Sequence, residues 1–192
     1  MSFPEARADA KGGGDPFAGL PGHPMMWILI GSELLVFGAA LLAFSAARLG
    51  DVAGFAEAQN HLDRLTGLIN VMVLLPSGLF AALAVEATRA GDIGRARIHL
   101  GVAGVFGLVF LIFKGVEYSA EMALGYGLNS GGFFTLYYLI TGFHALHVVF
   151  GLVVLGVVAA RPSLVNVETG AAFWHMVDLV WLLVFPIVYL VR

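Results

Sequence analysis

FFTLYYLITGFHALHVVFGLVVLGVVAA, residues 133–160, contains no Asp, Glu, Lys or Arg. A helix needs about 20 apolar residues to cross bilayer hydrocarbon, so this stretch is long enough to span it. Hydrocarbon offers no water to satisfy backbone N–H and C=O groups, which leaves helices and closed barrels as spanning structures. A continuous apolar run excludes the alternating barrel pattern. Working outward, four further runs of spanning length, residues 25–47, 66–88, 98–118 and 171–191, are each bounded by charges, Gly or Pro. The expected fold is therefore all-α, a bundle of five transmembrane helices. Composition agrees: 59% of the 192 residues are hydrophobic, only 12% are charged, and the mean hydropathy is +0.90. A soluble domain carries roughly a quarter charged residues.

A net charge of −3 without a basic run gives no footprint for nucleic acid. The absence of cysteine excludes disulfides, thiolate metal sites and a cysteine nucleophile. Residues 1–24, with Gly12–Gly14 and four prolines, read as a flexible polar segment without the features of a cleaved signal peptide. Residues 25–192 form the five-helix domain, and among the short connections only 48–65 has room for a small surface structure. Arg7, Lys11, Arg89, Arg95, Arg97 and Arg161 on one side outnumber Arg48, Arg64, Lys114 and Arg192 on the other. The crowding of Arg89, Arg95 and Arg97 into one short loop places the N-terminus inside and the C-terminus outside. Trp27 and Trp174 read as interfacial belt residues. Gly31, Gly38, Gly101, Gly104, Gly107 and Gly151 read as surfaces for close helix approach.

Ionisable groups within a span cost a few kcal/mol each on insertion scales, so they are the candidates for function. Rise per residue puts Glu33 about 12 Å and Asp178 about 10 Å from the inner ends of their helices, with His147 about 19 Å from its own. Glu33, His144, His147 and Asp178 are therefore expected to share one buried polar layer. Such a layer reads first as a clasp that fixes helix register; a proton relay or lipid-facing role and metal or haem ligation are the alternatives. Lys114, Glu117, Tyr118 and Glu121 fall on one helix face by spacing and read as a salt-bridged outer-end face. Pro76, after Asn70 and before Ser77 and Gly78, is expected to free a carbonyl and kink its helix.

Taken together, the runs LITGFHALHV (residues 139–148) and FWHMVDLVW (residues 173–181) resemble the heme-copper oxidase subunit III family in order and spacing. Residues 27–38, with Ser32-Glu33, look like the family helix that holds a buried carboxylate; residues 70–78 and the Glu117-Tyr118 pair match later family segments. The resemblance covers residues 25–192 and corresponds to a five-helix form that lacks the first two helices of the long form. Leu20-Pro21-Gly22 and the ending 183–192 look most like the NorE-type accessory protein of nitric oxide reductase.

What the resemblance implies is a non-catalytic accessory subunit of a membrane heme-copper terminal reductase, either a nitric oxide reductase or a cytochrome c or quinol oxidase, in the bacterial inner membrane. It implies no catalytic residue, no metal and no cofactor in this chain, with bound phospholipid as its ligand. Its partners would be the catalytic heme-copper subunit, with that subunit's cytochrome c or quinol-oxidising partner, and membrane lipids. Stability, lipid contact and proton uptake of the catalytic subunit would be its role. Carried over, Glu33 is the buried carboxylate with His144 and His147 beside it. Trp174, His175, Arg89, Arg95 and Arg97 are candidate lipid head-group contacts. A small proton-coupled transporter and a membrane cytochrome are the competing readings.

Overall fold

The computed structural model describes residues 23–191, so nearly all of the polar segment 1–24, including Leu20-Pro21-Gly22, lies outside the described residues. Six helices follow in order: α1 (Pro24–Gly50), α2 (Val52–His61), α3 (Arg64–Arg89), α4 (Ile93–Ala123), α5 (Gly132–Ala160) and α6 (Leu164–Phe185), the last continuing into a π turn at Pro186–Leu190. All except α2 are long and apolar enough to cross a membrane, α6 together with its π turn. The fold is the all-α bundle of five membrane-spanning helices.

Short polar side chains set most of the helix starts by accepting a hydrogen bond from a free first-turn N–H. Asp51 caps α2 through the Gly54 N–H, Asp63 caps α3 through Leu65, Asp92 caps α4 through Arg95, and Ser163 caps α6 through Asn166. These caps lie outside the apolar runs, and so the helices outlast the hydrocarbon-length segments. α4 begins at Ile93 rather than at residue 98 and extends to Ala123. Arg89, Arg95 and Arg97 consequently do not share one short loop. Arg89 ends α3, Arg95 and Arg97 lie in the first turns of α4, and three residues separate the helices, with Gly91 at φ 78° making the reversal.

α2 fills the 48–65 connection, and its face i, i+4 points inward. Phe55 packs edge-on against Phe44 of α1 and Phe133 of α5, with ring centroids 5.5 Å from each. Gln59, 3% exposed, donates from Nε2 to the carbonyl oxygens of Val188 (2.7 Å) and Val191 (3.0 Å). The π turn follows from Pro186, which has no N–H to continue the ladder; the Val191 N–H reaches back five residues to the Pro186 oxygen at 2.9 Å.

α6 is the most enclosed span and packs against α1, α3 and α5, while α4 lies against α3 and α5. Trp174 at its centre is completely buried, contrary to its expected place in an interfacial belt. Its ring lies between Gly107 of α4 and Gly151 of α5, where an added Cβ would come within 2.6 and 2.7 Å of ring carbons. Its Nε1–H donates to Ser77 Oγ (2.9 Å), and the Ser77 hydroxyl donates to the Ala103 carbonyl (2.8 Å), tying α6 to α3 and α4. Of the other glycines expected to provide close approach, Gly104 meets Leu152 at 3.7 Å, whereas Gly31, Gly38 and Gly101 have nothing within 4 Å.

Candidate functional site

The four residues expected in one polar layer occupy three separate environments. Glu33 of α1 meets His147 of α5, Oε2 to Nε2 at 3.0 Å, with side chains 20% and 14% exposed. The other imidazole nitrogen, Nδ1, is 2.8 Å from the Phe143 carbonyl. A carbonyl only accepts, so Nδ1 must carry a hydrogen. The Nε2–Oε2 contact then holds one further proton, either on the imidazole as an imidazolium–carboxylate pair or on the carboxyl as a neutral pair. Phe37 and Phe143 flank the ring, with centroids at 5.2 and 4.5 Å, and keep water from most of its surface. An apolar groove lined by Val36, Phe37, Ala40, Leu139, Phe143 and Leu146 runs between the same two helices beside the pair, with a volume of about 460 Å³.

His144 points elsewhere. Three residues on a helix turn the side chain by about 60°, enough to direct His147 at α1 and His144 into the core. There its Nε2–H donates to the Val177 carbonyl of α6 at 3.0 Å. The ring packs edge-on against Phe110 and tilted over Trp181. Asp178 faces α3. Its carboxyl lies against the bare backbone of Gly78, where a Cβ would stand 2.6 Å from Oδ2, and neither carboxylate oxygen has a hydrogen-bond partner among the described residues. The single layer is corrected to a Glu33–His147 pair, a core histidine and a separate carboxyl on the α3–α6 seam. Depth along a helix is readable from spacing, but the direction each face takes depends on which helices are neighbours.

The Lys114 face is salt-bridged as its spacing predicts, and it is buried in the interior of the bundle. The Lys114 and Glu117 side chains are 2% and 3% exposed and 3.1 Å apart. Lys114 Nζ also donates to Tyr137 OH (3.0 Å) and Tyr189 OH (2.6 Å), and both phenols donate to Glu117 Oε1. The ammonium lies 4.7–5.3 Å from the ring centroids of Tyr118, Tyr137, Trp181 and Tyr189, a range suited to cation–π attraction. Tyr118 bonds Thr141 at 2.7 Å, and Glu121 is buried one turn further along α4. Tyr137 and Tyr189 escape a search for ionisable groups; phenols interrupting otherwise apolar spans were the available signal.

Of the head-group candidates, Trp174 is sealed in the core and cannot touch a lipid. His175 is exposed on α6, its Nδ1–H donating to the Ala171 carbonyl at 2.6 Å. Arg89 pairs with Glu86 and Glu168 at 2.9 Å each, Arg95 pairs with Asp92 at 3.3 Å, and Arg97 Nε donates to the Ala159 carbonyl. Arg89, Glu168 and Trp27 stand at the polar end of a groove of about 440 Å³ that continues along Ile30, Leu34, His175 and Leu179.

Residues 22–191, all five spans, match the family model described as cytochrome c oxidase subunit III. The cytochrome c oxidase subunit 3 of Thermostichus vulcanus is 32% identical over 168 residues, covering 83% of this chain and 82% of the relative. That of Alkalihalophilus pseudofirmus is 28% identical, covering 92% and 95%. The heme-copper oxidase subunit I+III of Aeropyrum pernix is 31% identical over 86% of this chain, which spans only 22% of that longer protein.

Proposed function

The chain belongs to the cytochrome c oxidase subunit III family, and on that premise we propose that it is a non-catalytic accessory subunit of a heme-copper terminal reductase in a bacterial inner membrane. The observation that carries this reading is the match over all five spans. The N-terminus lies inside and the catalytic subunit is the partner. A nitric oxide reductase of the NorE-associated type is the favoured complex, on the strength of the chain's ending, and an oxygen reductase is the other member of the class.

Two features support a role in lipid contact and proton supply. The groove beginning at Arg89, Glu168 and Trp27 offers an ion pair and an indole at one end and apolar walls beyond, a polar and an apolar part that suit a phospholipid. The Glu33–His147 contact pairs a carboxyl with an imidazole within a span, next to an apolar groove rather than sealed from its surroundings. Both groups act on behalf of the partner, keeping its surface supplied and its turnover durable.

Purification of the tagged chain from its native membrane in mild detergent tests the proposal. A haem-bearing subunit should co-purify, and the complex carrying Glu33→Leu should lose activity during turnover faster than wild type while inserting normally. Equal durability of the two complexes would remove the role given to Glu33. Nitric oxide and oxygen consumption by the same preparation identifies the branch.

A further inference from the structure

Every tyrosine of the chain, at positions 118, 126, 137, 138 and 189, stands in one connected group with Trp181. The rings form a line. Trp181 is completely buried within the last span; its centroid lies 6.3 Å from Tyr189, Tyr189 lies 6.3 Å from Tyr137, and Tyr137 lies 5.0 Å from Tyr138. Tyr138 OH donates to the Tyr126 carbonyl at 2.7 Å. Phe134 bridges the same step ring to ring, 6.3 Å from Tyr137 and stacked on Tyr126 at 4.8 Å. Tyr126 is half-buried in the connection after α4, and its OH is 3.1 Å from Nε2 of His61, which is exposed at the end of α2.

In a chain without cysteine, indole and phenol rings are the groups most readily oxidised by one electron. A phenol sheds its proton as it is oxidised, so it needs a base. Glu117 Oε1 accepts from both Tyr137 and Tyr189, and a neutral His61 with its proton on Nδ1 accepts from Tyr126. Tyr118 bonds a hydroxyl and Tyr138 a carbonyl, neither of them a base. The Lys114 ammonium lies 4.7–5.3 Å from the centroids of Trp181, Tyr189 and Tyr137. Its attraction for a neutral ring becomes repulsion once the ring is positive, and burial strengthens that repulsion. Among the described residues no such cation stands over Tyr126. A positive hole is therefore driven outward along the line.

We propose that this line is a hole-escape path, carrying oxidising equivalents from Trp181 to Tyr126, where a water-soluble reductant removes them. The Trp181 radical cation takes one electron from Tyr189, whose phenolic proton passes to the Glu117 carboxylate. Tyr126 then gives one electron to the Tyr189 phenoxyl and its proton to His61, while Glu117 returns the first proton to Tyr189. An aqueous reductant such as ascorbate supplies one electron to the Tyr126 phenoxyl, and His61 hands its proton back. The initial oxidant is of the class that terminal-reductase chemistry generates, a ferryl haem or an oxygen-derived radical; in this respect alone the inference rests on the accessory-subunit reading.

Flash photolysis of the purified full-length chain tests the path without a partner. Leu182 is exposed and lines the same crevice as Trp181, so Leu182→Cys can carry a maleimide-linked ruthenium polypyridine without background labelling. Oxidised by a flash and an added electron acceptor, the metal should give a tryptophan radical that decays into a phenoxyl radical, followed by transient absorption and EPR. Ascorbate in the water should shorten the phenoxyl lifetime. Tyr126→Phe loses one oxygen and keeps the ring stack; its phenoxyl should remain on the buried tyrosines and lose its dependence on ascorbate. His61→Phe should lower the yield of the ascorbate-sensitive radical. A tryptophan radical that returns to the metal without any phenoxyl would overturn the path, as would equal ascorbate dependence in Tyr126→Phe. Either result leaves the accessory role standing, and failure of a haem-bearing subunit to co-purify leaves the path standing.

Discussion

Removing one member of the Lys114–Glu117 pair should harm the fold more than removing both. With side chains 2% and 3% exposed, neither charge has water to fall back on, so Lys114→Met strands a carboxylate and Glu117→Gln strands an ammonium. Breaking such a buried pair costs about 3–5 kcal/mol, and two independent losses would sum to about 6–10 kcal/mol. The double variant Lys114→Met/Glu117→Gln leaves no charge behind, and the new amide oxygen still accepts from Tyr137 and Tyr189. Its cost is that of an unpartnered amide N–H and a lost ammonium donor, about 1–3 kcal/mol. Coupling of at least about 3 kcal/mol is the expected signature. Equilibrium unfolding in mixed micelles of increasing SDS fraction measures all four proteins. Tryptophan fluorescence follows the transition, and Trp181 contributes a signal from the cluster because that ring's centroid lies 5.2 Å from the ammonium. Additivity of the single losses to within about 0.5 kcal/mol would show that the two side chains do not act as a pair and would refute the reasoning.

The same unfolding assay checks the glycine seat of Trp174. Gly151→Ala should cost about 1–3 kcal/mol, because its Cβ meets the buried ring at 2.7 Å, while Gly31→Ala, with open space around it, should cost nothing or stabilise slightly. Gln59→Leu removes the donor shared by the Val188 and Val191 carbonyls, so hydrogen exchange of amides 188–191 should accelerate about tenfold or more while the core of α6 keeps its protection. Asp63 accepts from Thr66 and the Leu65 N–H, and those bonds hold its carboxyl below the ordinary value. Its contribution to the start of α3 is thus present at neutral pH and lost as pH falls through that lowered value; Asp63→Ala, costing about 0.5–2 kcal/mol at pH 7, should cost nothing once the wild-type carboxyl is protonated.

Residue order alone fixed the number of spans, because each apolar run is long enough to need the membrane and helices alone satisfy their own backbone there. It also picked out Glu33, His144, His147, Asp178 and Lys114 as residues out of place in hydrocarbon. What it could not supply was azimuth. His144 and His147 differ by about 60° around α5, and only the positions of α1 and α6 decide that one meets a carboxylate and the other a backbone carbonyl. The same lack hid α2, whose ten residues are too few and too polar to stand out until Phe55 and Gln59 find a wall to face. It also hid the burial of Trp174, whose indole resembles a belt residue until Gly107, Gly151 and Ser77 close around it. Apolar length is a property of one segment and is written in it. Which polar group touches which is a property of pairs of helices, and it came into being only when α6 packed between α1, α3 and α5.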